Sequence, residues 1–408
     1  MVVSRKMVKD EALPEGWRRV KLGDVCKVIT SPVDKKTVDG ELPVKLCNYT
    51  DVYYNNTIDS EINFMVATAK PQEIEKFSII KEDVIITKDS EMPDDIGIPA
   101  YVKETINNLL CGYHLTILRP KKQTIGKYVC YALTSPRVRY DFYRYANGIT
   151  RFGLPTESYQ KITIPLPPLP EQKAIASLLE TWDTAIEKTE RLIAAKEKQF
   201  KWLLKRLISD QQNNPEWHKV KLGNLCIKIL GGGTPSTANT SYWEGHIPWM
   251  TSADIVDAKT IKARKYITIQ AVTDSATSLI PKNNIIVVTR VGLGKAVKNE
   301  MDICISQDSQ GLILKKSVNA DFLIHCLLEK IKVFKSASQG STIQGITKKR
   351  LFDIEVSLPS LPQQRQIARQ LDIVEREIGL LKQFVEKRRI QKHGLMQKLL
   401  TEEWRISC

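Results

Sequence analysis

The segment Ile164–Gln172, with the sequence Ile-Pro-Leu-Pro-Pro-Leu-Pro-Glu-Gln, returns 192 residues later as Val356–Gln364, with the sequence Val-Ser-Leu-Pro-Ser-Leu-Pro-Gln-Gln. Proline cannot continue a preceding helix, but it is accepted where a helix starts. Both segments are therefore predicted to lead into a helix. The helix should begin within two residues of Glu171 in the first copy and within two residues of Gln363 in the second.

A long run of apolar residues at alternating spacings of four and three follows each of these segments. This spacing is the heptad pattern of a coiled coil. The first run consists of Ile175, Leu179, Trp182, Ile186, Ile193, Phe200, Leu203 and Leu207, with Thr189 and Lys196 at the two vacant places. The second consists of Ile367, Leu371, Val374, Ile378, Leu381, Val385, Leu395 and Leu399, with Arg388 and Lys392 at the vacant places. Each copy is predicted to contain one long coiled-coil helix, and the first should end near Ser209.

A second repeated segment opens each copy. Val20–Cys26 (Val-Lys-Leu-Gly-Asp-Val-Cys), three residues after Trp17, returns as Val220–Cys226 (Val-Lys-Leu-Gly-Asn-Leu-Cys), three residues after Trp217. A repeat this long indicates a duplicated domain with its connector, because the units of solenoid proteins reach about 50 residues at most. Two similar modules in one chain favour a target with two similar halves.

Between the repeated segments, each copy contains short runs rich in β-branched residues, separated by turn residues. These runs are Asp83–Thr87, Leu115–Leu118, Asn284–Thr289 and Gly311–Leu314. Strands and a few helices in one compact unit of roughly 150 residues predict an α+β domain. The predicted order is globule, long helix, globule, long helix.

The composition indicates a soluble protein with a polyanionic partner. The chain has 408 residues, of which 42% are hydrophobic, and 61 Lys and Arg against 46 Asp and Glu give a net charge of +15. Nucleic acid is the commonest polyanion, although the charge could also serve solubility alone. No membrane span or signal peptide is visible, so we expect a cytoplasmic protein with reduced cysteines. Cys26 and Cys226 are predicted to be small core residues.

A third matched pair closes each globule. Gly148–Leu154 (Gly-Ile-Thr-Arg-Phe-Gly-Leu) and Gly340–Ile346 (Gly-Ser-Thr-Ile-Gln-Gly-Ile) share the frame Gly-x-Thr-x-x-Gly-aliphatic, but they differ at the tip. A shared frame with different tips is typical of two readers of different sequences. A glycine-flanked turn whose middle residues have drifted would give the same pattern.

The sequence predicts neither a catalytic centre nor a metal site. Gly292–Lys295 follows a predicted strand, but it fits neither the Walker nor the Rossmann phosphate loop. Arg290 and Lys295 in this loop fit phosphate or base contacts, because glycine permits close approach and the cations attract phosphate. A solvated basic turn is the alternative. The five histidines and eight cysteines lack metal-ligand spacing.

Taken in order, these features resemble the specificity subunit of type I restriction-modification enzymes. The resemblance covers nearly the whole chain and is carried by the tryptophans ahead of Lys-Leu-Gly, the proline-rich segments, the heptad helices and the Gly-x-Thr-x-x-Gly frames. The second copy also has Thr234–Ser236, Tyr242–Trp243, Pro248–Trp249 and Asp254 in the places expected of that family's target-recognition domains. The first copy lacks the Thr-Pro-Ser and Tyr-Trp signature in residues 31–38.

The resemblance implies two target-recognition domains in a pseudo-twofold repeat, separated by two long antiparallel coiled-coil helices. The implied domains are residues 1–165 and 211–357, with the central helix in 166–210 and the C-terminal helix in 358–408. Each domain would read one half of a bipartite site in double-stranded DNA. A helix of about 35 residues would span roughly 50 Å, about one and a half turns of duplex, and so set the gap between the half-sites.

The resemblance also implies a chain without catalytic activity or a cofactor of its own. The partners would be two modification subunits, which use S-adenosylmethionine, and two restriction subunits, which use ATP and magnesium. The DNA contacts are expected at Lys88, Ser90, Arg151, Arg290, Lys295, Thr342 and Gln344, from their loop positions and residue types. The competing hypotheses are a basic coiled-coil scaffold with general nucleic-acid affinity and an enzyme with an unrecognised site.

Overall fold

A computed structural model describes residues 13–338, 345–400 and 403–406, except for the side chains of 332–338. The chain divides into two compact units, Met1–Thr189 with Phe384–Cys408, and Glu190–Gln383. Each unit therefore combines one globule with one half of each long helix. The domain boundaries at residues 165, 210 and 357 stay a prediction, because this division by compactness cuts through the helices.

The first unit contains thirteen strands within its described residues. They are β1 (Arg18–Lys21), β2 (Cys26–Thr30), β3 (Leu42–Cys47), β4 (Thr57–Ile58), β5 (Met65–Ala69), β6 (Val84–Thr87), β7 (Asp89–Ser90), β8 (Pro99–Val102), β9 (Leu109–Cys111), β10 (Leu115–Pro120), β11 (Asn147–Gly148), β12 (Phe152–Gly153) and β13 (Thr163–Leu166). Its helices are α1 (Leu22–Val25), α2 (Tyr49–Tyr53), α3 (Pro71–Phe77), α4 (Gly126–Leu133), α5 (Pro136–Tyr145) and the start of α6 (Leu169–Leu204).

The second unit repeats this plan with ten strands in its described part. They are β14 (His218–Lys221), β15 (Cys226–Gly231), β16 (Ile247–Met250), β17 (Lys265–Ile267), β18 (Ser278–Ile280), β19 (Ile285–Val288), β20 (Ala296–Lys298), β21 (Ile303–Ile305), β22 (Ser309–Leu314) and β23 (Glu355–Leu358). Its helices are α7 (Leu222–Leu225), α8 (Ile269–Asp274), α9 (Ala320–Ser338), α10 (Lys348–Phe352) and the start of α11 (Leu361–Leu400).

Four strands follow the same order in the central sheets of the two units, and the first sheet has β4 as a fifth. The first unit has β2-β10-β6-β8-β4, and the second has β15-β22-β19-β20. The four predicted β-branched runs form β6, β10, β19 and β22, so the predicted α+β class is confirmed. Separate sheets, β5-β3-β9 in the first unit and β17-β16-β21-β18 in the second, lie beside the central ones.

The two repeated segments of each unit pair with each other. β1, which contains the start of Val-Lys-Leu-Gly, is antiparallel to β13, which leads into the proline-rich segment, and Val20 lies opposite Ile164. β14 and β23 pair in the same way, with Val220 opposite Val356. This ribbon joins the beginning of each globule to the start of its long helix, which explains why the two segments are repeated together.

A buried glutamine holds each long helix against its globule. The side chain of Gln172 donates to the carbonyl oxygen of Pro167 at 3.0 Å and accepts from the backbone N–H of Ile125, just before α4, at 3.0 Å. Gln364 donates to the carbonyl oxygen of Pro359 at 3.0 Å and accepts from the N–H of Asn319, just before α9, at 2.9 Å. The same two functions are therefore repeated in both units.

The long helices begin as predicted, and the first also ends as predicted. α6 has 36 residues from Leu169 and α11 has 40 from Leu361, in each case two residues before the predicted mark. A π-helical turn, Lys205–Ser209, continues α6 to the predicted end. No helix of the described residues is both long enough and apolar enough to cross a membrane.

Within each unit the two helices run antiparallel. In the first unit, the ammonium of Lys392 on α11 contacts Asp183 on α6, and Arg388 lies over the ring of Trp182, 5.0 Å from its centroid. In the second unit, Lys196 on α6 contacts Glu377 on α11 at 2.8 Å. The charged residues at the vacant seam places thus make contacts across the helix pair.

The cores lie under the sheets and against the starts of the long helices. Ile175 and Leu179 of α6 join the core of the first unit, and Leu371 of α11 joins that of the second. Cys26 and Cys226 are buried core residues, as predicted, and the seven cysteines that the structure describes are buried, free thiols.

Candidate nucleic-acid interface

A small sheet brings together the three residues predicted to contact DNA in the first unit. The hairpin β11–β12 carries Arg151 at its turn, and β12 pairs with β7, so that Phe152 lies opposite Ser90 and Gly153 opposite Asp89. Lys88 directly precedes β7, and its carbonyl oxygen accepts the N–H of Leu154 at 3.0 Å. We call Lys88, Asp89, Ser90, His114 and Arg151 the first patch.

The turn that presents Arg151 depends on the first glycine of the repeated frame. Gly148 has a φ of +151°, a conformation that side-chain-bearing residues rarely adopt. A Cβ there would also lie 1.9 Å from the carbonyl oxygen of Arg151. The glycine is therefore required by the backbone of the hairpin.

Arg151 is held by a carboxylate. Oδ1 of Asp89 accepts hydrogen bonds from Arg151 at 2.7 Å from Nη2 and 3.3 Å from Nε. The hydrogen bond to Asp89 holds the pKa of Arg151 above its ordinary value. Asp89 is 13% exposed and Arg151 is 59% exposed, so a nearly buried acid orients an exposed guanidinium.

His114 completes the support of Arg151. Its Nδ1 lies 2.7 Å from the same oxygen of Asp89, and Nη2 of Arg151 lies 2.9 Å from Nδ1 and 3.4 Å from Nε2. We assign the ring proton to Nδ1, because a carboxylate oxygen at that distance needs a donor. Nη2 of Arg151 therefore lies against the imidazole, nearer to Nδ1 than to Nε2.

The remaining cation and hydroxyl of the first patch are also oriented by neighbours. The ammonium of Lys88 lies over the ring of Tyr113, 4.4 Å from its centroid, and burial lowers its pKa. The hydroxyl of Ser90 accepts from Tyr49 at 3.3 Å and donates to Asp95 at 3.4 Å. Cations and polar groups with fixed orientations are what the reading of base edges requires.

The second unit builds the same backbone framework with different side chains. In the first unit the N–H of Lys88 donates to the carbonyl oxygen of His114 at 2.9 Å, and in the second the N–H of Thr289 donates to that of Asp308 at 2.7 Å. The N–H of Ile346 donates to Thr289, as that of Leu154 does to Lys88. Thr289 is therefore the counterpart of Lys88, and Asp308 that of His114. By the same alignment Arg290 takes the place of Asp89.

Two of the four residues predicted for the second unit lie in one turn. Arg290 and Lys295 are both exposed in the turn between β19 and β20, where Gly292 and Gly294 have positive φ values. The ammonium of Lys295 donates to the carbonyl oxygen of Ser252 at 3.0 Å. Thr342 and Gln344 lie outside the described residues. We call Thr289, Arg290, Lys295 and Asp308 the second patch.

The sequence analysis missed Asp89, His114, Asp308 and Gln310. Each of them lies at or beside the end of a predicted central strand. β6 pairs with β10 and β19 with β22, both antiparallel, so the end of the first strand of each pair lies beside the start of the second. Antiparallel pairing of the predicted strands could therefore have indicated these four residues. Gln310 lines the same groove as Arg290, and its buried Oε1 accepts no hydrogen bond from the described part of the chain.

One cluster away from the patches has the chemistry of metal ligands. His325 on α9 and the carboxylates of Asp372 and Glu375 on α11 have ligand atoms within 4.8 Å of one another. The ammonium of Lys259 contacts Asp372 and lies 3.4 Å from Glu375. Burial and the charge of Lys259 lower the pKa of His325 to about 4. Because Lys259 occupies the place of a cation between the carboxylates, we assign no metal to this cluster.

Comparison with known proteins gives consistent relatives along the whole chain. The type I restriction modification DNA specificity domain matches twice, at residues 14–197 and 214–387. A putative type I restriction enzyme MjaX specificity subunit from Methanocaldococcus jannaschii is 24% identical and covers 97% of this chain and 95% of its own. The EcoR124I/EcoR124II specificity subunit from Escherichia coli is 28% identical over 61% of this chain and 63% of its own.

A solved structure has the same fold. The S subunit of a type I restriction-modification system from M. genitalium covers 97% of this chain and 98% of its own, with a TM-score of 0.64 at 15% identity. Two matched specificity domains, each with a long helix and a patch on a common framework, identify the family. The chain belongs to the type I restriction-modification DNA specificity proteins.

Proposed function

We propose that this chain is the DNA sequence-specificity subunit of a type I restriction-modification complex, and that each of its two recognition domains reads one half of a bipartite site. The observation that carries this proposal is the pair of patches. They have equivalent backbone hydrogen bonds, and they differ in charge at the equivalent positions Asp89 and Arg290. Two readers with one scaffold and different side chains fit a target with two different halves.

The proposed DNA contacts are the seven predicted residues: Lys88, Ser90, Arg151, Arg290, Lys295, Thr342 and Gln344. Five of them lie in the two patches, at loops beside the ends of central strands. The net charge of +15 favours the phosphate backbone, which supplies affinity without sequence choice. The domain boundaries predicted from the sequence belong to this proposal, with the paired helices acting as the spacer between half-sites.

We assign the chemistry to partner subunits in the cytoplasm, where the DNA is. The proposed complex contains two modification subunits, which use S-adenosylmethionine, and two restriction subunits, which use ATP and magnesium. In this arrangement the chain itself needs no cofactor. It targets the methyltransferase and endonuclease activities by binding DNA.

The test is selection of DNA by the assembled complex. The chain is produced with its modification subunit, and the complex is used to select duplexes from a randomised pool at two salt concentrations. We expect one motif with two defined halves separated by a gap of fixed length. The modification subunit alone is the control and should select no such motif.

A basic scaffold with general nucleic-acid affinity would give a different result. Binding would then fall steeply with salt, as for any polycation, and the selected pool would show no preferred sequence. That outcome would contradict the proposed function.

A further inference from the structure

We infer that Arg151 reads a guanine in the half-site of the first unit and that Asp89 is the positioning residue that orients it. This inference rests on the proposed function and goes beyond it, because it names the base and the residues that select it. The argument depends on which edge of the guanidinium is occupied, on the charge beside it and on the hairpin that carries it.

The guanidinium of Arg151 has its Nε–Nη2 edge occupied, and its Nη1 group is open. Nε and Nη2 form the edge that faces Oδ1 of Asp89. Within the described part of the chain, Nη1 donates to no protein group. Nη2 also lies against the ring of His114. Because Arg151 is 59% exposed, the N–H groups at its Nη1 end are accessible to the O6 and N7 acceptors of guanine in the major groove.

The carboxylate beside Arg151 favours a base over a phosphate. Asp89 cancels much of the attraction between Arg151 and a phosphate group, since an acid at 2.7 Å from Nη2 repels the same anion. A residue that only held the DNA backbone would gain nothing from this partner. Reading a base edge depends on orientation, and a fixed guanidinium plane supplies it.

The backbone keeps Asp89 and Arg151 in register. Gly153 pairs directly with Asp89, and Phe152 pairs with Ser90, so the turn that carries Arg151 is anchored next to its carboxylate. In the second unit Arg290 takes the place of Asp89 and Asp308 that of His114. The Asp89–Arg151 pair is therefore specific to the first unit, and removing it should change the base preference in only one half of the target.

The experiment compares motifs selected by the complex containing the wild-type chain, R151K, R151Q and D89N. R151K keeps the charge but loses the planar donor pair, so it separates base reading from phosphate binding. K81Q is the matched control. It removes one exposed positive charge just before β6, at the opposite end of that strand from Lys88.

We expect the wild-type motif to contain a guanine that is preferred roughly 5- to 150-fold over the other bases, the range of one good bidentate contact. R151K and R151Q should relax that position alone and leave the other half-site unchanged. D89N should weaken the guanine preference while its affinity for unrelated duplex stays equal or rises, because a negative charge has been removed. A merely structural role for Asp89 would lower both affinities together. K81Q should keep the motif.

Two results would overturn the inference. One is a two-part motif that R151K leaves intact, which would make Arg151 a phosphate contact. The other is relaxation at a position where the wild-type chain selects a base pair without guanine. If the wild-type complex selects no motif at all, the proposed function fails, and the inference fails with it.

Discussion

At the scale of single residues, Gln172 and Gln364 explain why the proline-rich segments end in glutamine. Each amide satisfies one carbonyl oxygen at the start of the long helix and one backbone N–H ahead of a helix in the globule. The sequence marks both glutamines as repeated, but their partners lie 47 and 45 residues away. No local pattern connects a side-chain amide to a single backbone group at that separation.

We predict that Q172A and Q364A each destabilise their own unit. Both side chains are almost fully buried, at 1% and 3% exposure, and removal of the amide takes the partner from one partly buried N–H and one buried carbonyl oxygen. The expected cost is about 1–3 kcal/mol in the free energy of unfolding for each variant. Urea-induced unfolding followed by tryptophan fluorescence would measure it.

Q72A is the matched control for these variants. Gln72 is exposed on α3, and among the described residues it makes no hydrogen bond through its side chain. Its removal should leave the unfolding midpoint nearly unchanged. Equal midpoints for Q72A, Q172A and Q364A would show that the buried glutamines do not hold the helices to the globules.

At the scale of elements, prediction succeeded where the signal is local. Proline marks the starts of α6 and α11, and the heptad spacing marks their length. The β-branched runs mark the central strands. The sheet β11-β12-β7 was not predicted, because its strands have two residues each, which is too short for an alternating pattern to show. It forms by tertiary pairing between segments about 60 residues apart, which no period in the sequence records.

We predict that G148A disturbs the recognition hairpin and that G153A does not. Alanine at position 148 needs a strained φ and places its Cβ against the carbonyl oxygen of Arg151, whereas a Cβ at Gly153 would meet, among the described residues, only the Cβ of Asp89, at 3.9 Å. The strain at Gly148 should cost roughly 1–3 kcal/mol or move the turn that carries Arg151.

The readout for this pair is selection of DNA by the assembled complex. G148A should lose preference in the first half-site while the second half-site stays sharp. G153A should resemble the wild-type chain. Equal motifs for all three chains would show that the conformation of this hairpin does not matter for recognition.

At the scale of the whole molecule, duplication is the feature that links sequence to function. The repeats predict two globules of one plan, each followed by a long helix, and the strand orders agree with this. The chemistry of each patch could be predicted only in part. Lys88, Ser90, Arg151, Arg290 and Lys295 follow from loop position and residue type, whereas Asp89 and His114, which orient Arg151, become visible only when the strands are paired.

The two patches make different use of one framework. Asp89 and His114 in the first unit correspond to Arg290 and Asp308 in the second, so an acid is replaced by a base at one position and a histidine by an acid at the other. A surface that bound DNA without regard to sequence would not need different side chains in the two patches. A target with two unlike halves accounts for it.

The most direct test of the central claim is a map of methylated bases in genomic DNA from cells that carry the modification subunit, with and without this gene. Single-molecule sequencing would supply the map. We predict that a two-part methylated motif with a fixed gap is present only when the gene is present. Methylation that is absent in both cells, or identical in both, while the subunits are produced and assembled, would contradict the assignment of sequence recognition to this chain.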